Sequence, residues 1–289
     1  MQGSRTFSLV FAGLFLSSFA SAQNFDNVQI TATPVAGTVQ MLQGQGGNIA
    51  VSIGADGVLM VDDQFGPLAD KIKAKITELG GGAPAFLLNT HWHGDHTGGN
   101  EFFSDAATII AHDNVRVRLA DPSAERVPAA LPVITYSDGI SVHYNGEEIR
   151  LIHLPNGHTD GDSAVWFTGS NVVHMGDEYV NRTFPFIDTA SGGTLEGLMQ
   201  NSQRMLELLP DDVKIIPGHG ELSTKAEFAE WAEGVKTTVA LVLEQKAAGK
   251  DLQTIIDEGL PAEYESWGQG FINESAWITA IYNSGLSRE

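Results

Sequence analysis

Residues 89–100 read NTHWHGDHTGGN, and place His91, His93, Asp95 and His96 within six positions. Imidazole and carboxylate side chains together are the usual donors to a catalytic metal, so this stretch reads as half of a metal site. His91 and His93 are two apart where a strand is expected to end, so their side chains are expected to point the same way. Gly94 lets the backbone turn, which leaves Asp95 and His96 free to face a second point nearby.

The other half is expected at three more strand ends. His158 lies in LPNGHTDGD after the apolar run EEIRLIHL, Asp177 in HMGDE after NVVHM, and His219 in IIPGHG after VKII. Each is flanked by glycine, which permits tight turns and close backbone approach. A lone histidine or aspartate in a turn is ordinary; four such motifs in one chain point to a shared centre.

The elements that must position these groups follow from the patterning. TVQMLQG, GNIAVSIG and DGVLMVDD read as strands separated by glycine-bearing turns. LADKIKAKITELG (68–80) has helical spacing, with Leu68, Ile72, Ile76 and Leu79 on one face. PAFLLNT (84–90) reads as a buried strand leading into the first motif, and ATIIAH (107–112) as another. A second strand block (PVITYS, ISVHYNG, EEIRLIHL, SAVWFTG, NVVHMGD), a helix over 194–209 and the strand VKIIPG follow. Residues 223–289 read as mostly helical. QGQGGN (43–48) lacks the spacing of a phosphate loop and reads as a hairpin turn.

Composition narrows the class. The chain has 289 residues, of which 42% are hydrophobic and 18% charged, ordinary for a globular protein with a sizeable core. Its formal charge of −20 repels phosphate backbones and argues against general nucleic-acid binding. With no cysteine, thiolate ligands and disulfides are excluded. Arg5, the apolar run FSLVFAGLFL and Ala20-Ser21-Ala22 form the pattern of a secretory signal peptide over residues 1–22, with cleavage expected after Ala22. That run is too short to span a bilayer. The expectation is a periplasmic or secreted protein, with residues 23–289 as a single domain.

HWHGDH, GHTDGD, MGD and PGHG, in this order, closely resemble the metallo-β-lactamase superfamily over roughly residues 37 to 222. The resemblance implies an α+β fold, a four-layer αβ/βα sandwich of two mixed sheets with metals at the sheet edge. It also implies two zinc ions: one on His91, His93 and His158, the other on Asp95, His96 and His219, with Asp177 bridging. His93 stands where iron-binding electron-transfer relatives carry glutamate, which favours zinc hydrolysis over redox chemistry. The basic surface of the nuclease branches is absent. So is the basic C-terminal patch of glutathione thioesterases, since residues 250–289 hold only Lys250 and Arg288 as cations.

Bound zinc lowers the pKa of water toward ~7, so the expected reaction is attack of a metal-bound hydroxide on a carbonyl, with Asp95 orienting it. β-Lactam amides are the leading expected substrate and small lactones or esters the rival; a non-hydrolytic metal-binding or redox module is the third reading. Asp62, ending the strand DGVLMVDD, is expected to accept a hydrogen bond from a ligand histidine. Trp92, Phe65, Phe184 and Phe186 are candidate linings of the mouth, and Arg182 a candidate partner for a substrate carboxylate. His112, His143, His153 and His174 lie in or beside strand patterns and read as structural. No membrane partner is expected after cleavage, and no oligomeric state is indicated.

Overall fold

The computed structural model describes residues 24–287, so the expected signal segment 1–22 lies outside the described residues. Strands β1 (Thr31–Ala36), β2 (Val39–Gln43), β3 (Ile49–Gly54) and β4 (Gly57–Val61) form an antiparallel meander. Strands β5 (Pro84–Leu88), β6 (Thr108–His112) and β7 (Ile134–Tyr136) extend it in parallel into one sheet, ordered β1 to β7. Parallel neighbours need crossovers. Helix α1 (Ala69–Glu78) supplies the first, and the short helices α2 (Gly94–Thr97) and α3 (Asn100–Phe103) the second; α4 (Asp113–Leu119) begins the third.

The second sheet runs β13-β12-β11-β10-β9-β8. It comprises β8 (Gly139–Tyr144), β9 (Glu147–Leu154), β10 (Asp162–Phe167), β11 (Val172–His174), β12 (Lys214–Ile216) and β13 (Ser223–Thr224), and only the β11–β12 pair is parallel. Helix α5 (Leu195–Leu208) crosses between β11 and β12. Helices α6 (Lys225–Ala247), α7 (Leu252–Glu258) and α8 (Glu274–Asn283) complete the chain. The TKAE sequence explains where α6 starts: Thr224 and Glu227 cap each other's backbone N–H groups.

Strand periodicity divides the core into layers. Leu59 and Val61 point between the sheets with Met41 and Leu88, against Leu151, Val165 and Phe167 of the second sheet. Met60, between them in sequence, points outward with Leu42 and Leu87 onto Ile72 and Ile76 of α1. Across the sandwich, Val172 faces inward, whereas Val173 faces Leu198, Met205 and Trp231 of α5 and α6. Two mixed sheets flanked by helices therefore make the four layers expected from the sequence. No helix among the described residues is long and apolar enough to cross a membrane.

Candidate metal centre

The seven expected ligands come together at one edge of the sandwich. His91 and His93 occupy the turn after β5, Asp95 and His96 the helix α2, His158 the β9–β10 loop, Asp177 the turn after β11 and His219 the turn after β12. Strand β5 stops at Leu88, so the pairing of His91 with His93 arises from the turn and not from strand alternation. Their rings lie 4.9 Å apart at 90°. Donor atoms of His91, His93 and His158 converge within 4.8 Å, as do those of Asp95, His96 and His219. Asp177 spans both groups. Its Oδ2 lies 4.0 Å from His91 Nε2 and 3.7 Å from His158 Nε2, and its Oδ1 lies 3.2 Å from His96 Nε2 and 3.5 Å from His219 Nε2.

The outward nitrogens of four rings are already engaged, which decides where the inward ones point. His93 Nε2 donates to Asp188 Oδ2 at 3.0 Å, and His158 Nδ1 donates to the Phe186 carbonyl at 2.7 Å. His96 Nδ1 donates to Asp62 Oδ2 at 2.7 Å. Thr90 Oγ1 donates to the same Asp62 oxygen and accepts from His91 Nδ1 at 3.1 Å. Asp62 thus stands behind His96 directly and behind His91 through Thr90. This fully buried carboxylate follows β4 in the left-handed backbone region at φ 61°, and it accepts a third bond from the Thr90 backbone N–H at 2.8 Å, so that three hydrogen bonds hold an uncommon conformation.

These outward bonds supply the test of whether a cation fits. His93 Nδ1 and His158 Nε2 face each other at 2.8 Å, although each ring already spends a proton elsewhere. Two lone pairs that close repel unless a proton or a metal ion lies between them. His91 Nε2 is buried without any partner, and so is Asp177 Oδ1 by hydrogen-bond geometry. Such orphaned atoms suit metal ligands better than structural groups. The donor set of imidazole and carboxylate fits zinc.

Electrostatics separate the two groups. Burial first, then the neighbouring His96, holds His91 well below the ordinary histidine range, and burial also lowers His93. Burial opposes charge on His219 too, but Asp177 and Asp95 overcome it and push its pKa up to about 9. His96 is likewise raised by Asp177, Asp95 and Asp62. Against its burial, His219 and His96 keep Asp177 well below the usual carboxylate range.

Close backbone approach at two glycines makes room for the centre. A Cβ on Gly47 would overlap the His96 ring, and one on Gly218 would overlap Asp177 Oδ1. Gly47 belongs to the QGQGGN hairpin, which Gln64 Nε2 holds by a 2.7 Å bond to the Gly47 carbonyl. The hairpin expected from sequence is therefore also a wall of the site.

The expected mouth residues divide. Phe186 lies 6.0 Å from the His93 ring and 5.9 Å from His158, at the rim. The Phe65 ring approaches Asp95 across Gly46. Phe184 does not line the mouth: it is buried and stacks on Trp277, because the helical C-terminal part covers that face. Trp92 touches His93 at 5.0 Å but packs against the Ala111, Val115 and Leu119 cluster, so it supports the site from beneath. Arg182 is exposed and reaches Glu227 at 3.5 Å. His112 and His153 stack on each other at 3.8 Å, His143 is exposed on β8, and His174 bonds the Asn48 carbonyl. Asp188, Thr90 and the Phe186 carbonyl were not legible as ligand supports, since no motif links them to the histidines they hold.

The sequence model described as the metallo-beta-lactamase superfamily matches residues 45–219, more than half of the chain. The protein belongs to that superfamily. Members are metal-dependent hydrolases, and this chain carries a histidine-rich candidate metal centre. Among curated relatives, the hydroxyacylglutathione hydrolase of Rhodospirillum rubrum is 30% identical over 162 residues, 56% of this chain and 58% of the relative. The 2,4-dinitroanisole O-demethylase subunit alpha of Nocardioides sp. is 29% identical over 174 residues, 59% of this chain and 51% of the relative. The chain thus spans between half and three-fifths of these relatives. A metallo-beta-lactamase from Pontibacter korlensis superposes with a TM-score of 0.63 at 15% identity, covering 72% of this chain and 99% of that one, which shows the shared fold.

Proposed function

We propose that the superfamily member described here is an exported dizinc hydrolase that opens small neutral esters and lactones. The observation that supports it is the convergence of seven metal-donor side chains, two with orphaned atoms, at one edge of the sandwich. In this reading His91, His93 and His158 hold one ion, Asp95, His96 and His219 the other, and Asp177 offers one oxygen to each. The bound ions would supply a water of lowered pKa and polarise the carbonyl oxygen. Asp95, with 27% of its side chain exposed against 12% for Asp177, is the carboxylate open to incoming water and able to take its proton. Asp62, Thr90, Asp188 and the Phe186 carbonyl keep the rings aimed. Export rests on the signal pattern of residues 1–22.

The preference for neutral substrates follows from the cations of the segments after Asp177 and His219, which are engaged elsewhere. Arg182 is engaged by Glu227, and Lys225, the first cation after His219, bonds Asp211 at 2.8 Å and the Leu209 carbonyl at 2.7 Å. The β-lactam reading, which led on the sequence alone, becomes the second, supported by Arg126. Its guanidinium lies 3.4 Å from Thr97 Oγ1 and close over Gly94, where it could meet a substrate carboxylate. The deciding experiment presents a lactone, an ester, a thioester and a β-lactam to the purified, zinc-loaded chain. Turnover of lactone and ester, lost on chelation, is expected; no turnover of any of the four would overturn the hydrolase reading. A fast lactam rate that falls in Arg126→Ala while the ester rate holds would move the assignment to the second reading.

A further inference from the structure

Two phenylalanines at the rim are exposed in a way that core packing does not explain. Phe271 is 89% exposed and Phe186 is 39% exposed. Their rings meet edge to face, 5.8 Å apart at 85°, and the Phe186 ring continues onto the rings of His93 and His158. The result is a continuous aromatic surface running from solvent to two of the candidate metal ligands. Single exposed apolar residues need no explanation, and Phe102, exposed beside Gly66, is one of those.

The backbone on either side of Phe271 is anchored. Its neighbour Ile272 pairs with Phe184, whose N–H donates to the Trp267 carbonyl at 3.3 Å and whose ring stacks on Trp277 at 5.6 Å. On the other side, a Cβ at Gly270 would run into the Thr183 side chain. The buried Phe184 therefore anchors the segment that presents Phe271, and this segment lies outside the matched residues 45–219.

We propose that Phe271 and Phe186 form an aromatic lip that receives a flat apolar substituent of the substrate, such as an aryl ring, beside the reacting carbonyl. This rests on the hydrolase reading above and adds the substrate's side group to it. An aryl ring placed there would bury the exposed faces and gain the edge-to-face geometry that aromatic pairs prefer. An anionic group is disfavoured by the chain's formal charge of −20.

The test compares acetohydroxamate with benzohydroxamate binding to the zinc-loaded protein by calorimetry. The two share one chelating head and differ only in the ring, so the ratio of their affinities reports the lip without any turnover. Phe271→Ala should cut the wild-type preference for the ring by up to about tenfold, the upper range for an aromatic pair. Phe186→Ala should cut it in the same direction, and Phe102→Ala should keep it. An undiminished preference in both Phe271→Ala and Phe186→Ala would overturn the lip and leave the hydrolase reading standing. If neither hydroxamate binds the wild-type protein, the metal centre fails and the lip with it.

Discussion

The two halves of the candidate centre are built on opposite electrostatic plans. His91, His93 and His158 are tucked in, burial favours the neutral form of His91 and His93, and the lone pairs of His93 and His158 face each other while each ring spends its proton elsewhere. Asp95, His96 and His219 instead neutralise themselves, because carboxylates keep His96 and His219 protonated in the metal-free chain. The histidine half is preorganised and short of a cation. The carboxylate half already holds protons where a cation would sit, and must release them to take one. We therefore expect the histidine half to fill first as zinc is titrated in.

The largest expected effect erases the contrast. Asp177→Ala removes the one side chain that faces both halves, so both should lose metal and turnover should fall on the order of 10²–10³. Elemental analysis after dialysis checks this; loss of one ion only, with the other retained at full affinity, would make Asp177 terminal.

Asp62→Asn should act unevenly. It removes the charge behind His96 and weakens the link to His91 through Thr90, so metal affinity should drop about 10–100-fold, chiefly in the carboxylate half. Asp188→Asn sharpens the comparison from the other side. Its side chain bonds His93 alone among the ligands, so an affinity loss of about tenfold should be confined to the histidine half. Competition with a chromophoric chelator would resolve the two steps, and equal losses at both would remove the distinction drawn above.

The smallest effect is one of pH. His219, raised to about 9 from 6.5, carries a proton at neutral pH, so filling the carboxylate half should release it. Apparent affinity there should climb with pH and level off above about 9, whereas His91 and His93, both held below the ordinary histidine range by burial, should have no proton to release at neutral pH. The same raised pKa stabilises the metal-free fold fully below about 6.5, and that contribution fades as pH rises through about 9. Calorimetry in buffers of different ionisation heat counts the released protons, and none released would contradict the paired carboxylate half.

Most of the architecture was legible because its strands alternate or run apolar without interruption. Strand β1 was not: Pro34 interrupts it, its residues are nowhere fully buried, and edge strands of that kind lack a two-residue signature. The ligands were legible because short motifs hold them at strand ends. Their supports were not, since Asp188 meets His93 across 95 residues of chain and only the folded sandwich makes them neighbours. Composition could not divide the two aromatics of TFPFID, where Phe184 anchors the C-terminal helices and Phe186 reaches the rim. That division depends on residues 262–283, which no spacing in the motif region encodes.

Each half of the centre takes ligands from both sheets. His91 and His93 extend from the first and His158 from the second; Asp95 and His96 extend from the first and His219 from the second. An ion in either half would therefore act as a cross-link, closing chain loops of 65 residues between His93 and His158 and of 123 between His96 and His219. Loops of that length are where a covalent staple restrains an unfolded chain most, in the loop-entropy account. In a protein without cysteine, zinc would then serve the role that disulfides serve in chains that have them, and chelation would release the two sheets from each other before either came apart.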